Sequence, residues 1–181
     1  MDFPTLSTKR LRLVKVDKQY TKALFDIMSN DEVTKYYGME SLTSIEQAQQ
    51  IIESFDRSYR QGFGIRFGIV LKETGQFIGT VGLNNLVTRM KRAEIGYEIH
   101  PAFWRKGYTS EAVKRVINYA FHELGLYRIG AVTFPENAPS WRLLEKLNFT
   151  KEGTLRGYIY QHGQSNNTYV WSILRPDWVR D

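Results

Sequence analysis

A short basic loop runs directly into the strongest helical pattern of the chain. The loop ends with Trp104, Arg105, Lys106 and Gly107, and the helical pattern follows at once. The first turn of a helix presents backbone N–H groups without intrahelical acceptors and the positive end of the helix dipole, so it favours a diphosphate. Gly107 lets the backbone approach phosphate oxygens closely. The loop predicts a phosphate-binding site, although a plain basic turn before a helix explains this motif equally well.

A second motif lies in residues 134–149, where Glu136 and Asn137 are followed by Ser140 and a short helical pattern. Together the two motifs resemble the Gcn5-related N-acetyltransferase (GNAT) superfamily, and more narrowly its branch of ribosomal-protein serine and alanine N-terminal acetyltransferases. The resemblance covers the whole chain. Its further stretches are Thr8-Lys9-Arg10-Leu11-Arg12-Leu13, Glu94-Ile95-Gly96-Tyr97-Glu98-Ile99 and Glu152-Gly153-Thr154-Leu155-Arg156.

The resemblance implies an α/β (α+β) fold with a mixed, mostly antiparallel central sheet and helices on both faces. Its fourth and fifth strands, here residues 92–100 and 127–134, are expected to splay apart around the pantetheine arm of acetyl-CoA. The diphosphate is expected on backbone amides of the loop. The residues predicted to bind this cosubstrate are Ile99, Trp104, Arg105, Lys106, Gly107, Tyr108, Thr109, Ser110 and Asn137.

Three positions depart from the general superfamily pattern, and the first of them, Trp104 where glutamine or arginine is usual, is familiar in the ribosomal-protein branch. Thr109 stands where a glycine or alanine is common, so it either caps the helix or contacts a phosphate oxygen. Leu144 stands where many members have a tyrosine that protonates the departing thiolate, and leucine cannot donate a proton. In the ribosomal-protein branch a serine and a glutamate are proposed as acid and base, and Ser140 and Glu152 match them. Ser140 could equally stabilise the first turn of its helix.

Amide formation from acetyl-CoA requires a neutral amine and a polarised thioester carbonyl. A backbone N–H on the splayed strand, at Ile99 or a near neighbour, can polarise that carbonyl. An α-amino group is roughly 10–20% neutral at pH 7, whereas a lysine side chain is roughly 0.04% neutral. One carboxylate is therefore enough help for an N-terminal amine. Glu152 is the first choice as base, followed by Glu98 and Glu94, each of which could also be a solvated strand carboxylate.

The elements that must position these groups follow from the spacing of apolar residues. The predicted order is β-α-α-β-β-β-α-β-α-β-β, with the strongest helix after Gly107 and a C-terminal cap at Gly125. Asn137 is predicted to cap the next helix, which spans about residues 138–147. The last two strands, near residues 150–160 and 167–174, are expected to form a hairpin.

Composition limits the alternatives. The chain has 181 residues, which suit one domain over 1–181, and no cysteine, which excludes disulfides and thiolate nucleophiles. The three histidines are widely separated, so no metal site is expected. A net charge of +6 suits an acidic small ligand, but the basic residues are scattered rather than clustered for nucleic acid. No export signal or membrane span is visible, so a cytoplasmic protein is expected, and its aromatic content suggests a homodimer.

The function predicted is direct transfer of an acetyl group from acetyl-CoA to a primary amine, most simply the N-terminal α-amine of a ribosomal protein. Two alternatives remain open. One is an acetyltransferase for a small amine such as an antibiotic or a polyamine, and the other is a CoA-binding regulatory domain without catalysis. The aromatic residues Tyr36, Tyr37, Tyr158 and Tyr160 could wall the amine pocket or pack in the core or at a subunit interface.

Overall fold

The computed structural model describes residues 2–178. Its strands are β1 (Leu6–Ser7), β2 (Leu11–Lys15), β3 (Ile65–Leu71), β4 (Phe77–Val87), β5 (Arg92–Ile99), β6 (Arg128–Thr133), β7 (Thr150–Gln161) and β8 (Gln164–Leu174). Its α-helices are α1 (Thr21–Met28), α2 (Asp31–Thr34), α3 (Ile45–Arg60), α4 (Tyr108–His122) and α5 (Ala138–Lys146).

The strands form one eight-stranded sheet in the order β1-β2-β3-β4-β5-β6-β8-β7. All neighbouring pairs are antiparallel except β5 and β6, which run parallel. A parallel pair needs a crossover, and α4 supplies it between these two strands. The predicted mixed, mostly antiparallel sheet is therefore confirmed. The two-residue β1 adds a strand at the edge, so the expected fourth and fifth strands are β5 and β6.

Both faces of the sheet are covered by helices, which explains why every residue of β3 is buried. Phe67 and Ile69 belong to a core cluster that includes the apolar face of α4. Val70 of the same strand belongs to a second cluster with residues of α1 and α3. Alternate side chains of the central strands therefore point to opposite layers, with α4 and α5 on one face and α1 and α3 on the other.

Most predicted elements are confirmed to within a few residues, including the C-terminal hairpin of β7 and β8. The turn after α4 contains Gly125 with a φ of +66°, and Asn148 after α5 has a φ of +65°, as expected for left-handed helix ends. Asn137 is the N-cap residue of α5 as predicted, but its side chain makes no capping hydrogen bond and only its backbone carbonyl accepts from the first turn. The indole N–H of Trp141 instead donates to the Pro135 carbonyl over 3.1 Å, and this bond ties the first turn of α5 to the preceding loop.

Candidate active site

The two parallel strands separate soon after they meet. Within residues 2–178, β5 and β6 are paired at only three positions, from Arg92 opposite Arg128 to Glu94 opposite Gly130. The remaining five residues of β5 run alongside β6 without being paired to it. A gap therefore opens towards the C-terminal ends of both strands, where the sequence resemblance implied one.

Unpaired main-chain groups of β5 face this gap. The N–H of His100, just beyond β5, donates to the Ile78 carbonyl of β4 over 2.8 Å. N–H groups alternate sides along a strand, so those of Tyr97 and Ile99 point away from β4 and towards β6. Two donors at this spacing can bind an extended chain, and either can polarise a carbonyl. The Ile99 carbonyl accepts the indole N–H of Trp104 over 2.7 Å.

The basic loop opens α4 with free backbone donors. Gly107 is the residue before the helix and has a left-handed backbone, with φ at +80°. The first helical bond runs from the Glu111 N–H to the Gly107 carbonyl, so the amides of residues 108–110 have no intrahelical acceptor. No side chain caps this end, so Thr109 does not play the capping role considered from the sequence. Exposed backbone donors, a dipole end and two basic neighbours fit a diphosphate.

The N-terminal segment holds this loop in place, a role that the sequence did not reveal. Glu111 accepts hydrogen bonds from the Arg10 backbone N–H at 2.8 Å, the Arg10 Nε at 2.7 Å and the Thr8 hydroxyl at 2.5 Å. The Arg10 guanidinium also donates to the Lys106 carbonyl over 2.9 Å. Burial alone would raise the pKa of Glu111, but the bonds from Thr8 and Arg10 lower it. Arg10, just before β2, and Glu111, in the first turn of α4, therefore hold the loop against the start of β2.

A pair of hydroxyl groups connects β5 with α5. The Tyr97 hydroxyl lies 2.8 Å from the Ser140 Oγ and 3.4 Å from the Ser140 carbonyl. Leu144, one turn further along α5, is fully buried in the core. Ser140 therefore lies against Tyr97 of β5, whereas Leu144 packs in the core. Tyr97 was missed, although strand alternation places it on the same face as the core residues that α4 covers.

Glu98 lies on the opposite face of β5 in a buried polar cluster. Its Oε1 accepts from the Thr80 hydroxyl, and its Oε2 lies 3.8 Å from an Arg66 guanidinium nitrogen. The side chain of Glu98 is only 3% exposed, and its Oε2 has no hydrogen-bond donor among the described residues. Burial, together with the negative charge of Glu98, raises the pKa of the neighbouring Tyr37 hydroxyl. Glu98 is thus a buried carboxyl group that contacts Thr80, with Arg66 and the Tyr37 hydroxyl as neighbours.

Gly96 leaves the space that this cluster needs. A Cβ on Gly96 would lie 2.8 Å from the Asn84 side-chain nitrogen and 3.2 Å from the Arg66 guanidinium. Arg66 uses the space to donate to the Gly96 carbonyl over 3.1 Å and to the Asn84 side-chain oxygen over 3.0 Å. The buried guanidinium is therefore held in position to balance the charge of Glu98.

Glu152 is engaged elsewhere. It forms a two-pronged ion pair with Arg128, over 2.7 and 2.6 Å, and accepts from the Ser172 hydroxyl over 2.7 Å. These bonds, Arg128 first, lower the pKa of Glu152 to about 2. It belongs to β7, which is separated from the gap by β6 and β8. A carboxylate this acidic is a weak base, and in the structure it is the ion-pair partner of Arg128.

A cleft of about 580 Å³ opens where β5 and β6 diverge. Its wall includes Phe63, Arg92, Glu94, Arg128 and Val132. Glu94 is on the same face of β5 as Glu98, because both positions are even-numbered along a regular strand. The cleft therefore leads from the protein surface to the closed end of the gap, on the side opposite α4.

The loop between α2 and α3 is tied to the tip of the C-terminal hairpin. Gln161, only 2% exposed, donates to the carbonyls of Thr34 and Met39 and accepts the N–H of Gly38. In the same loop, the Tyr36 ring lies 5.7 Å from that of Phe134, at the end of β6. The loop therefore reaches across to the far side of the gap.

Of the four tyrosines considered for the pocket, Tyr36 and Tyr37 lie in this loop and are partly buried. Tyr158 and Tyr160 of β7 are 52% and 70% exposed. The loop tyrosines are therefore the pair that the structure places near the gap.

The described residues fit coenzyme A. The loop offers backbone donors and positive charge for a diphosphate, and the gap offers strand donors for an extended arm. Between residues 2 and 178, no group of three or more histidine or acidic side chains is arranged to hold a metal ion. Over the same residues, no helix is long and apolar enough to cross a bilayer.

Comparison with known proteins agrees with this geometry. The sequence profile of the acetyltransferase (GNAT) domain family matches residues 10–150. The uncharacterized N-acetyltransferase YoaA of Bacillus subtilis (strain 168) is 49% identical over 96% of this chain and 98% of its own length. The [ribosomal protein uS5]-alanine N-acetyltransferase of Escherichia coli (strain K12) is 31% identical over 67% of this chain and 63% of its own length.

The solved structure of Mycobacterium smegmatis RimJ in complex with CoA-disulfide superposes with a TM-score of 0.89 at 21% identity, over 98% of this chain and 90% of that one. The sheet order, the gap and the loop before α4 thus occur in a chain whose sequence matches the family over most of its length. The protein belongs to the GNAT family of acetyl-CoA-dependent N-acetyltransferases.

Proposed function

We propose that the acceptor is the N-terminal α-amine of a protein, in particular a ribosomal protein, and that the amine attacks directly. The observation that carries this proposal is the cleft of about 580 Å³ that leads from the surface to the closed end of the gap. Glu94 at the cleft and Glu98 further along β5 are four residues apart, or about 13 Å. An extended peptide of about four residues spans this distance, with its amine at Glu98 and the rest of the chain outside.

The charges in the cleft favour a peptide over a polyamine. Its wall carries two arginines, Arg92 and Arg128, and a single glutamate, Glu94. Because Arg128 is paired with Glu152, Arg92 and Glu94 leave the wall without surplus negative charge for the several positive charges of a polyamine, whereas a peptide N-terminus brings one charge. The acidic cluster that a polyamine site requires is absent from the lining.

Glu98 is the proposed base. Its buried Oε2 lacks a hydrogen-bond donor, so a lone pair is available for a proton, directly or through one water molecule. Thr80 contacts the Glu98 carboxyl group and Arg66 lies beside it, so its position is fixed. An α-amine is already roughly 10–20% neutral at pH 7, so a single carboxylate is enough help.

The acyl donor is proposed to be held by the residues predicted from the sequence. The amides from Arg105 to Ser110 bind the diphosphate, the strand N–H groups of Tyr97 and Ile99 face the pantetheine arm, and Asn137 reaches it from the start of α5. Acetyl-CoA supplies the acyl group as a thioester. A strand N–H polarises the carbonyl at which the amine attacks, and Ser140 lies on the side of the leaving sulfur.

The test is thiol release from acetyl-CoA with matched acceptors. We expect release with short peptides that begin with serine or alanine, and none when the same peptides carry a blocked N-terminus. Mass spectrometry of the product should place the acetyl group on the α-nitrogen. Turnover with spermidine or aminoglycosides but not with peptides would contradict the peptide assignment. CoA binding without turnover on any acceptor would favour a regulatory domain.

We further propose that the protein acts in the cytoplasm as a homodimer. The support is the two exposed tyrosines of the C-terminal hairpin, Tyr158 and Tyr160. Light scattering should give twice the mass of 21.2 kDa. A monomer at micromolar concentration would remove this part of the proposal.

A further inference from the structure

The contact between Tyr97 and Ser140 joins the two sides of the gap. Tyr97 belongs to β5, and its own backbone N–H points into the gap, while its hydroxyl reaches the first turn of α5. The two hydroxyl oxygens are 2.8 Å apart. One tyrosine thus supplies a backbone donor and a side-chain contact at the same level of the gap.

Either hydroxyl can donate in the contact between Tyr97 and Ser140, and each hydroxyl has one hydrogen to give. The only described partners of the Tyr97 hydroxyl are the Oγ and the carbonyl of Ser140. When the tyrosine donates to the Oγ, the hydrogen of Ser140 has no acceptor among the described residues and is available to a ligand. A donor that itself accepts a hydrogen bond is polarised and becomes a stronger donor. In the arrangement in which Tyr97 donates to the Oγ, Tyr97 orients and strengthens the Ser140 donor.

The acidities decide what this pair can do for a leaving thiolate. A thiol such as that of cysteine has a pKa of about 8.5. Burial raises the pKa of Tyr97 to about 12, despite an opposing effect of its bond with Ser140. Proton transfer from the Tyr97 phenol to the thiolate would therefore be unfavourable, because the phenol is the weaker acid. Donation of a hydrogen bond to the thiolate carries no such cost.

We propose that Tyr97 is a positioning residue that aims the Ser140 hydroxyl at the sulfur of CoA, and that Ser140 stabilises the departing thiolate by a hydrogen bond rather than by giving up its proton. This rests on the proposed function of the gap as the pantetheine site. In the transfer, the C–N bond forms as the C–S bond breaks, and the electron pair of that bond goes to sulfur. The proton of the amine passes to Glu98, and both hydroxyl protons stay in place.

The test measures the thiol of bound CoA and needs no acceptor. The ultraviolet absorbance of the thiolate, followed against pH with saturating CoA, gives the thiol pKa in the complex. We expect it to lie below the value for free CoA. Ser140→Ala and Tyr97→Phe should each raise it, by up to about one pH unit, since one hydrogen bond to a charged group is lost.

A double-mutant cycle separates positioning from structure. If Tyr97 acts through Ser140, the double variant should have the same bound-thiol pKa as Ser140→Ala alone. Tyr119→Phe is the matched control, because Tyr119 is another buried tyrosine of the core, and it should leave the thiol pKa unchanged. The Kd for CoA reports folding of each variant.

The proposal is overturned if bound and free CoA share one thiol pKa, or if the two single effects add. It is also overturned if Ser140→Ala binds CoA with an unchanged thiol pKa. Failure of the acceptor assignment would leave all of these measurements intact, so the two failures can be distinguished.

Discussion

At the scale of single residues, the two faces of β5 divide the chemistry. Tyr97 and Ser140 lie on the side of α4 and α5, whereas Glu98 lies on the side of α1 and α3. The side chain proposed to assist the leaving group and the one proposed to accept a proton are therefore separated by the strand itself. This arrangement allows donor and acceptor to approach the gap from opposite sides.

Replacing Glu98 should affect chemistry without affecting CoA. We expect Glu98→Gln to lower kcat by about 100-fold, the usual scale for losing a general base, with the Kd for CoA unchanged. Steady-state kinetics and a CoA titration check both values. Glu152→Gln is the matched control and should retain most of the activity, because Glu152 pairs with Arg128. A large loss of kcat for Glu152→Gln, with little loss for Glu98→Gln, would instead identify Glu152 as the base.

Gly107 should be sensitive to a methyl group. Gly107→Ala places a Cβ in the left-handed region, at a cost of about 1–2 kcal/mol, and brings it to 3.2 Å from the Arg10 guanidinium. We expect the loop to shift so that this strain is relieved. The shift moves its amides away from the diphosphate and raises the Kd for CoA by about tenfold. Calorimetric titration measures this change.

Gly125→Ala is the control for that variant. Gly125 also has a left-handed backbone, follows the other end of α4 and has open space around its Cβ position. Gly125→Ala should lower the free energy of unfolding by a similar amount and leave the Kd for CoA unchanged. Equal changes in Kd for the two variants would contradict the phosphate role of the loop.

At the scale of elements, the start of β2 determines the position of the loop before α4. Arg10→Ala removes the ion pair with Glu111 and the bond to the Lys106 carbonyl. We expect KM for acetyl-CoA to rise several-fold with little change in kcat, since binding is lost equally in the ground and transition states. Lys9→Ala, an exposed neighbour, should change neither value. A fall in kcat alone would show that Arg10 acts on chemistry instead.

The Arg128–Glu152 ion pair should make stability depend on acid. The pKa of Glu152 is lowered in the folded protein to about 2 from 4.5, so the pair stabilises the fold fully above pH 4.5. That contribution is lost as pH falls through 2. Urea unfolding at several pH values should show a smaller acid-dependent loss for Glu152→Gln, and the effect is modest because the pair is partly solvated. Glu73→Gln, at the turn between β3 and β4, is the control and should keep the full loss.

The elements were largely predictable from the sequence, and the contacts between them were not. Apolar periodicity gave the helix beginning at Tyr108, and turn residues gave the hairpins. Asn137 lies at the predicted N-cap position of α5 without a side-chain bond, and the contact that ties this turn to the preceding loop is the Trp141 indole, a residue with no capping signature. The ion pair of Glu152 could not be predicted from the sequence, because its partner Arg128 is distant in the chain. The two residues become neighbours only through the order of the strands in the sheet.

At the scale of the whole molecule, the ligand and the fold should stabilise one another. CoA at 100 times its Kd stabilises a folded protein by about 2.7 kcal/mol, which raises Tm by about 5–10 °C for a chain of this size. Thermal unfolding followed by fluorescence measures the shift. It should be smaller for Gly107→Ala at the same CoA concentration. Equal shifts in both proteins would mean that CoA binds away from the loop.

The gap has a consequence for regulation by metabolite levels. Almost all main-chain donors assigned to the cosubstrate, from the loop before α4 to the inner edge of β5, face the diphosphate and pantetheine arm that CoA and acetyl-CoA share, and only the strand N–H proposed to polarise the thioester carbonyl meets a group that free CoA lacks. The protein therefore has few contacts with which to prefer the loaded form, and the spent product competes for the same place. Its output in the cell should follow the ratio of acetylated to free CoA rather than the amount of either.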